Sequence, residues 1–148
     1  MRQMKPLSGA IVASRFNEFV TDRLVDGAVA EVERLQLEPA TVVRVPGAWE
    51  IPLAVQEVQR HGNYDYIVAI GVLIRGETYH FDVLADETTR ALSEISLTTR
   101  VPIGMGVLTV ENVDQARARA GKGSDNKGAE AARAAVEMAR LLNGLAES

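Results

Sequence analysis

Apolar runs of strand length alternate with stretches of helical period from one end of the chain to the other. Ala10-Ile11-Val12-Ala13 reads as a short buried strand. Thr21 or Asp22 is suited to cap a helix in which Leu24, Ala28, Val32 and Leu35 share one face. Thr41-Val42-Val43-Arg44-Val45 is a second strand, stopped by Pro46-Gly47. Pro52 fits only the first turn of the next helix. That helix should reach about Arg60, with Ile51, Leu53, Val55 and Val58 available for burial. Asn63-Tyr64-Asp65 is a turn, and the longest apolar run, Tyr66 to Leu73, reads as a central parallel strand buried on both faces. A helix follows from about Phe81, with Leu84, Thr88, Leu92 and Ile95 at helical spacing. Pro102 to Leu108 is the fourth strand. Glu111 or Asn112 opens a short helix that ends near Gly121. Asp125 or Asn126 caps the last helix, expected to run to Asn143 and stop at Gly144. Its face of Ala131, Ala135, Val136, Ala139 and Leu142 is small and apolar, which permits close packing.

The order is β-α-β-α-β-α-β-α-α, and each parallel strand pair requires a right-handed crossover. The expected fold class is α/β, a three-layer α/β/α sandwich around a four-stranded parallel sheet. No repeat, linker or low-complexity segment interrupts residues 1–148, which read as a single domain. A chain of this size buries roughly 68–70% of its unfolded surface and needs no staple to fold. It has no cysteine, so disulfides and thiolate metal sites are excluded, in keeping with a reducing, cytoplasmic setting. The net charge is -4 with acids and bases interspersed, and the basic stripe of a nucleic-acid binder is missing. No apolar run approaches the roughly 20 residues of a membrane span, and Met1 to Pro6 leads into a strand rather than a signal-peptide core.

In an open parallel sheet, ligands bind beyond the carboxyl ends of the strands. Four segments meet that condition: Ser14-Arg15-Phe16-Asn17, Pro46-Gly47-Ala48-Trp49-Glu50, Ile74 through Asp82, and Leu108-Thr109-Val110-Glu111. Gly76-Glu77-Thr78 lies between a strand and a helix N-terminus, where free N–H groups and the helix dipole favour phosphate. The Thr78 hydroxyl adds a donor. The same dipole favours a neutral His80 imidazole able to accept a proton, whereas a bound anion opposes it. His80 read alone is equally a helix-capping or half-buried structural histidine. His61, beside Gly62-Asn63, reads as solvated surface.

Glu50 is either an acceptor for substrate hydroxyls or an ordinary acid in a first helical turn. Phe16 and Trp49 either flank a flat heterocycle or fill a core or subunit interface. Arg119 and Lys127 flank Gly121-Lys122-Gly123-Ser124-Asp125 and are either phosphate ligands or solvated charges near helix ends. There is no Gly-x-x-x-x-Gly-Lys-Ser/Thr loop, no Gly-x-Ser-x-Gly elbow and no metal-spaced His/Asp/Glu cluster. Gly104-Met105-Gly106 lies inside a strand and is not a dinucleotide fingerprint.

Five segments together resemble the lumazine synthase family of riboflavin biosynthesis. They are Arg15-Phe16-Asn17, Val45 through Pro52, Gly71 through Thr78 with His80-Phe81-Asp82, Gly106 through Thr109, and Asn126-Lys127-Gly128 with Glu137-Met138-Ala139. They occur in family order and cover nearly the whole chain. The resemblance implies condensation of 5-amino-6-(D-ribitylamino)uracil with 3,4-dihydroxy-2-butanone 4-phosphate, without metal or organic cofactor. It implies that His80 transfers protons, that Gly76, Glu77 and Thr78 hold the phosphate, that Arg119 binds phosphate and that Lys127 lies near the reacting groups. It places Phe16 and Trp49 against the pyrimidine, Glu50 at the ribityl hydroxyls, and Ala48, Leu73 and Ile74 at the ring through their backbones. Met105 stands where many members carry a phenylalanine on the substrate ring, which makes that contact softer. The family implies a homopentamer whose sites are shared between adjacent subunits, with Met105, Arg119 and Lys127 coming from the neighbour. The uninserted length of Arg119 to Lys127 favours the 60-subunit shell, and the pathway implies a functional link to riboflavin synthase. Two rivals remain. A flavodoxin-like binding module of the same topology would need a richer phosphate loop after the first strand. A shell protein without activity would not need His80, Arg119 and Lys127.

Overall fold

Gly9–Ser14 (β1), Thr41–Val45 (β2), Tyr66–Ile74 (β3) and Ile103–Val110 (β4) form one parallel sheet in the order β2-β1-β3-β4. The computed structural model describes residues 6–76 and 80–147. Among these, the helices are Glu18–Arg34 (α1), Ile51–Gly62 (α2), Phe81–Thr99 (α3), Val113–Arg119 (α4) and Lys127–Glu147 (α5). This is the expected three-layer α/β/α sandwich. No described helix is long and apolar enough to cross a membrane.

β3 lies inside the sheet, and all nine of its residues are buried, as a continuous apolar run requires. The period of two in a strand divides them between two cores. Tyr66, Val68, Ile70, Val72 and Ile74 pack with Leu24, Ala28 and Val32 of α1, Ala116 of α4, and Ala131, Ala135 and Val136 of α5. Ile67, Ala69 and Leu73 pack with Ile51 and Val55 of α2 and Phe81 and Leu92 of α3. Helices α1, α4 and α5 therefore cover one face, and α2 and α3 the other.

Several boundaries differ from expectation. α1 begins at Glu18 rather than after Thr21 or Asp22. Asn17, in the left-handed region at φ 64°, turns the chain, and its carbonyl accepts from the amides of Val20 and Thr21. Asparagine tolerates that conformation better than most residues. Thr21 is fully buried inside the helix, and Asp22 pairs with Arg44 of β2 instead of capping. β4 continues to Val110, whose carbonyl accepts from the Arg75 amide at 2.9 Å, so Leu108 to Val110 belong to the ladder and only Glu111 lies beyond it. α5 passes through Gly144 to Glu147. A glycine weakens a helix by about 1 kcal/mol but does not by itself end one. Leu53 and Leu142, expected inside, are exposed.

Candidate active site

The turns after β1 and β2 are tied to each other. The Arg15 amide donates to Val45 O at 2.7 Å and the Phe16 amide to Pro46 O at 3.1 Å, extending the ladder past both strands. Asn17 Nδ2 donates to Val72 O at 3.2 Å and fastens the same turn to β3. Phe16 is left 52% exposed at the carboxyl edge of the sheet. Across the β2 turn, Ala48–Glu50 form one 3-10 turn, with Ala48 buried, Glu50 half-buried and Trp49 61% exposed. Two open aromatic faces at strand ends suit a flat heterocycle. Leu73 and Ile74 are buried at the end of β3, where their backbones reach the same edge.

Gly76 follows at φ 91°, and His80 is exposed directly before α3, its carbonyl accepting from the Leu84 amide at 2.8 Å. Glu77 and Thr78, expected in the phosphate loop, lie outside the described residues. Arg75 binds both flanks of this segment. Its Nε donates to Glu111 Oε1 at 3.2 Å, its Nη1 lies 3.3 Å from Asp82 Oδ1, and its guanidinium sits 4.5 Å from the Phe81 ring centroid. The hydrogen bond to Glu111, then the charges of Glu111 and Asp82, hold the guanidinium more firmly protonated than usual. The ends of β3 and β4 and the first turn of α3 are thereby joined. Arg75 falls inside the Gly71 through Thr78 segment and has no implied role from the resemblance. The sequence signal for it is a cation directly after the central strand, with acids at Asp82 and Glu111 to receive it.

Three expected site residues lie elsewhere in the chain. Met105 pairs with Ala69 in the middle of β4, on the α2–α3 face with Val107, and is exposed because β4 is an edge strand. Arg119 closes α4, where its Nη1 donates to Gln115 O at 3.0 Å. Lys127 opens α5, with Nζ 2.7 Å from Glu130 Oε2. Both cations belong to helices on the face opposite α3. One chain therefore gathers Phe16, Ala48, Trp49, Glu50, Leu73, Ile74, Gly76 and His80 along one edge, with the sheet between His80's helix and the two cations. His61 is exposed and pairs with Glu57 at 3.3 Å, as a solvated histidine would. No group of three or more acidic or histidine side chains able to hold a metal occurs among the described residues.

Comparison with known proteins identifies the family. The family profile described as 6,7-dimethyl-8-ribityllumazine synthase matches residues 6–143. A 6,7-dimethyl-8-ribityllumazine synthase from Nitratidesulfovibrio vulgaris strain Miyazaki F is 47% identical over 143 residues, covering 95% of this chain and 92% of the relative. The proteins of that name from Salinibacter ruber and Aquifex aeolicus are each 50% identical, over 135 and 137 residues. These alignments cover 90% of this chain and 86% of the relative for the former, and 91% and 89% for the latter. With the profile spanning nearly every described element and identity near one half, the chain belongs to the 6,7-dimethyl-8-ribityllumazine synthase family, enzymes of riboflavin biosynthesis.

Proposed function

We propose that this chain, as one domain, condenses 5-amino-6-(D-ribitylamino)uracil with 3,4-dihydroxy-2-butanone 4-phosphate at sites shared between adjacent copies of itself. The observation that carries the shared site is the separation just described: the aromatic, carboxylate and histidine half lies at one edge, and Arg119 and Lys127 lie across the sheet. A second copy supplies the missing half. Exposed apolar side chains on the α2–α3 face support this, since Trp49, Leu53, Val83, Leu97 and Met105 are more than a lone chain ordinarily leaves in water. Trp49 and Leu53 line a groove of about 450 Å³ between α2 and α3.

In this reading, Phe16 and Trp49 flank the pyrimidine, and the backbones of Ala48, Leu73 and Ile74 take its polar edge. The Glu50 carboxylate accepts from ribityl hydroxyls. Gly76, Glu77 and Thr78 hold the phosphate, and the neighbour adds Met105 against the ring and Arg119 and Lys127 as cations. The primary amine adds to the ketone carbonyl, and water leaves to give an imine. A proton then leaves the adjacent carbon and phosphate departs. The enol left behind takes up a proton at its terminal carbon and becomes a new ketone. The ribitylamino nitrogen closes on that ketone with loss of a second water, giving 6,7-dimethyl-8-ribityllumazine. His80 carries protons between these steps. The guanidinium of Arg119 matches two phosphate oxygens at once and stabilises the departing dianion. Orientation of two substrates supplies much of the remaining rate.

The reading extends to a cytoplasmic homopentamer, with twelve pentamers in a closed 60-subunit shell and riboflavin synthase acting on the product. Mixing both substrates with purified protein and following lumazine absorbance tests the activity, and a rate no higher than the spontaneous one overturns it. Native mass spectrometry tests the shared site. Multiples of five are expected, and a fully active monomer overturns it.

A further inference from the structure

Among the described residues, Asn126 is one of few buried polar side chains, at 3% exposure, and every polar atom of its amide is used. Nδ2 donates to Gly121 O at 2.8 Å and to Arg23 O of α1 at 3.1 Å. Oδ1 accepts from the amides of Gly128 at 2.8 Å and Ala129 at 3.1 Å, capping α5. The surroundings are shaped to admit it. A Cβ at Gly27 would overlap the Asn126 amide, and one at Gly128 would overlap Leu24 O. Arg133 reaches the same loop, donating to Ser124 O at 3.2 Å while its Nε donates to the buried Glu31 at 2.9 Å.

The bonds of Asn126 end on both sides of the loop that separates the two cations. Gly121 lies two residues beyond Arg119, and Lys127 follows Asn126 directly. α4 has only seven residues, too few to hold its own end in place, and residues 121–125 are all exposed. A single side chain thus joins the end of α4, the middle of α1 and the start of α5.

We propose that Asn126 is a positioning residue for phosphate binding, setting the spacing and direction of the Arg119 and Lys127 backbones through its four hydrogen bonds. The inference rests on the reading that these two cations serve the phosphate-bearing substrate. Asn126→Ser keeps a cap acceptor but replaces the two amide N–H donors by one shorter hydroxyl, which cannot serve Gly121 O and Arg23 O together. Steady-state kinetics compare the parent, N126S, R119A and the double variant, with melting temperature measured on each.

N126S is expected to raise the KM for 3,4-dihydroxy-2-butanone 4-phosphate by about 10-fold, of the order that a misplaced contact costs. The KM for the pyrimidine should stay within about 2-fold. In the R119A background, N126S should add clearly less than it does to the parent, leaving only the part it exerts through Lys127, because residues acting through one contact are not additive. A lower melting temperature with both KM values unchanged overturns the proposal, as does a full multiplicative effect in the double variant. If R119A leaves the phosphate KM unchanged, the assignment of Arg119 itself fails. If R119A raises it and N126S does not, only the role of Asn126 fails. Should N126S not fold, Asn126→Asp, of the same shape with the cap acceptor kept, replaces it under the same criteria.

Discussion

Replacing Glu31 by glutamine should cost about 2 kcal/mol of stability near pH 7, the scale of breaking a buried charge-assisted network. Glu31 is 4% exposed on α1. Its Oε1 accepts from Arg34 Nε at 2.9 Å, and its Oε2 accepts from Arg34 Nη2 at 2.7 Å and Arg133 Nε at 2.9 Å. The Arg34 hydrogen bond, opposed by burial and helped by Arg133, holds the carboxyl at about 2 instead of 4.5. A displacement of that size corresponds to about 3 kcal/mol at 1.36 per pH unit. Arg34 is 63% and Arg133 40% exposed. Solvent screening therefore trims the electrostatic share to about 1–2 kcal/mol. The glutamine amide adds a cost by pointing hydrogens at arginine donors.

The pH dependence follows from the direction of the shift. Glu31 is more acidic folded than unfolded, so its contribution is complete above 4.5 and drains away as pH falls toward 2. Urea unfolding followed by far-UV circular dichroism, at one protein concentration, measures both effects. E31Q should be less stable than the parent near pH 7, and the gap should narrow as the parent glutamate takes up its proton. A gap below about 0.5 kcal/mol near neutrality, within the range of an ordinary surface change, refutes the reasoning. So does a gap that stays constant down to the acid limit.

Gly128→Ala drives a methyl into the Leu24 carbonyl of α1, and it should lower the melting temperature by roughly 10 °C, as about 3 kcal/mol of overpacking does; a melt like the parent's means the α1–α5 contact is looser than described. His80→Ala should slow lumazine formation by about 10-fold or more, the low side of acid–base effects, and unchanged turnover removes His80 from proton transfer. Arg75→Met keeps a stem on Phe81 but loses the pairs with Asp82 and Glu111. Because these pairs are exposed, stability should change by less than about 1 kcal/mol, while the KM for the phosphate substrate rises by about 5-fold as the ends of the 76–80 segment separate. Thermal melts and steady-state kinetics check both, and an unchanged KM sinks the clamp.

The alternation of apolar runs with helical periods determined the fold class. The nine apolar residues of β3 can be satisfied only in a strand covered on both sides, and the helical faces of Leu24, Ala28, Val32 and of Ala131, Ala135, Val136 supply one of those covers. The family resemblance was legible because short motifs such as Val45 through Pro52 and Gly71 through Gly76 run across strand ends into the turns that follow, where local sequence is distinctive. Boundaries were less legible. Asn17 starts α1 through its backbone rather than a side-chain cap, so no capping pattern marks it. Gly144 reads as a stop, yet the helix passes it, because a glycine lowers helix propensity without ending a helix by itself. Strand order, and the face on which each helix lands, depend on crossover direction and on packing between segments remote in sequence. Tertiary structure alone therefore put Arg119 and Lys127 across the sheet from His80's helix. It also buried Asn126 where α1, α4 and α5 meet, because the bonds of that amide run to Arg23 and Gly121, and only the folded chain brings those carbonyls together.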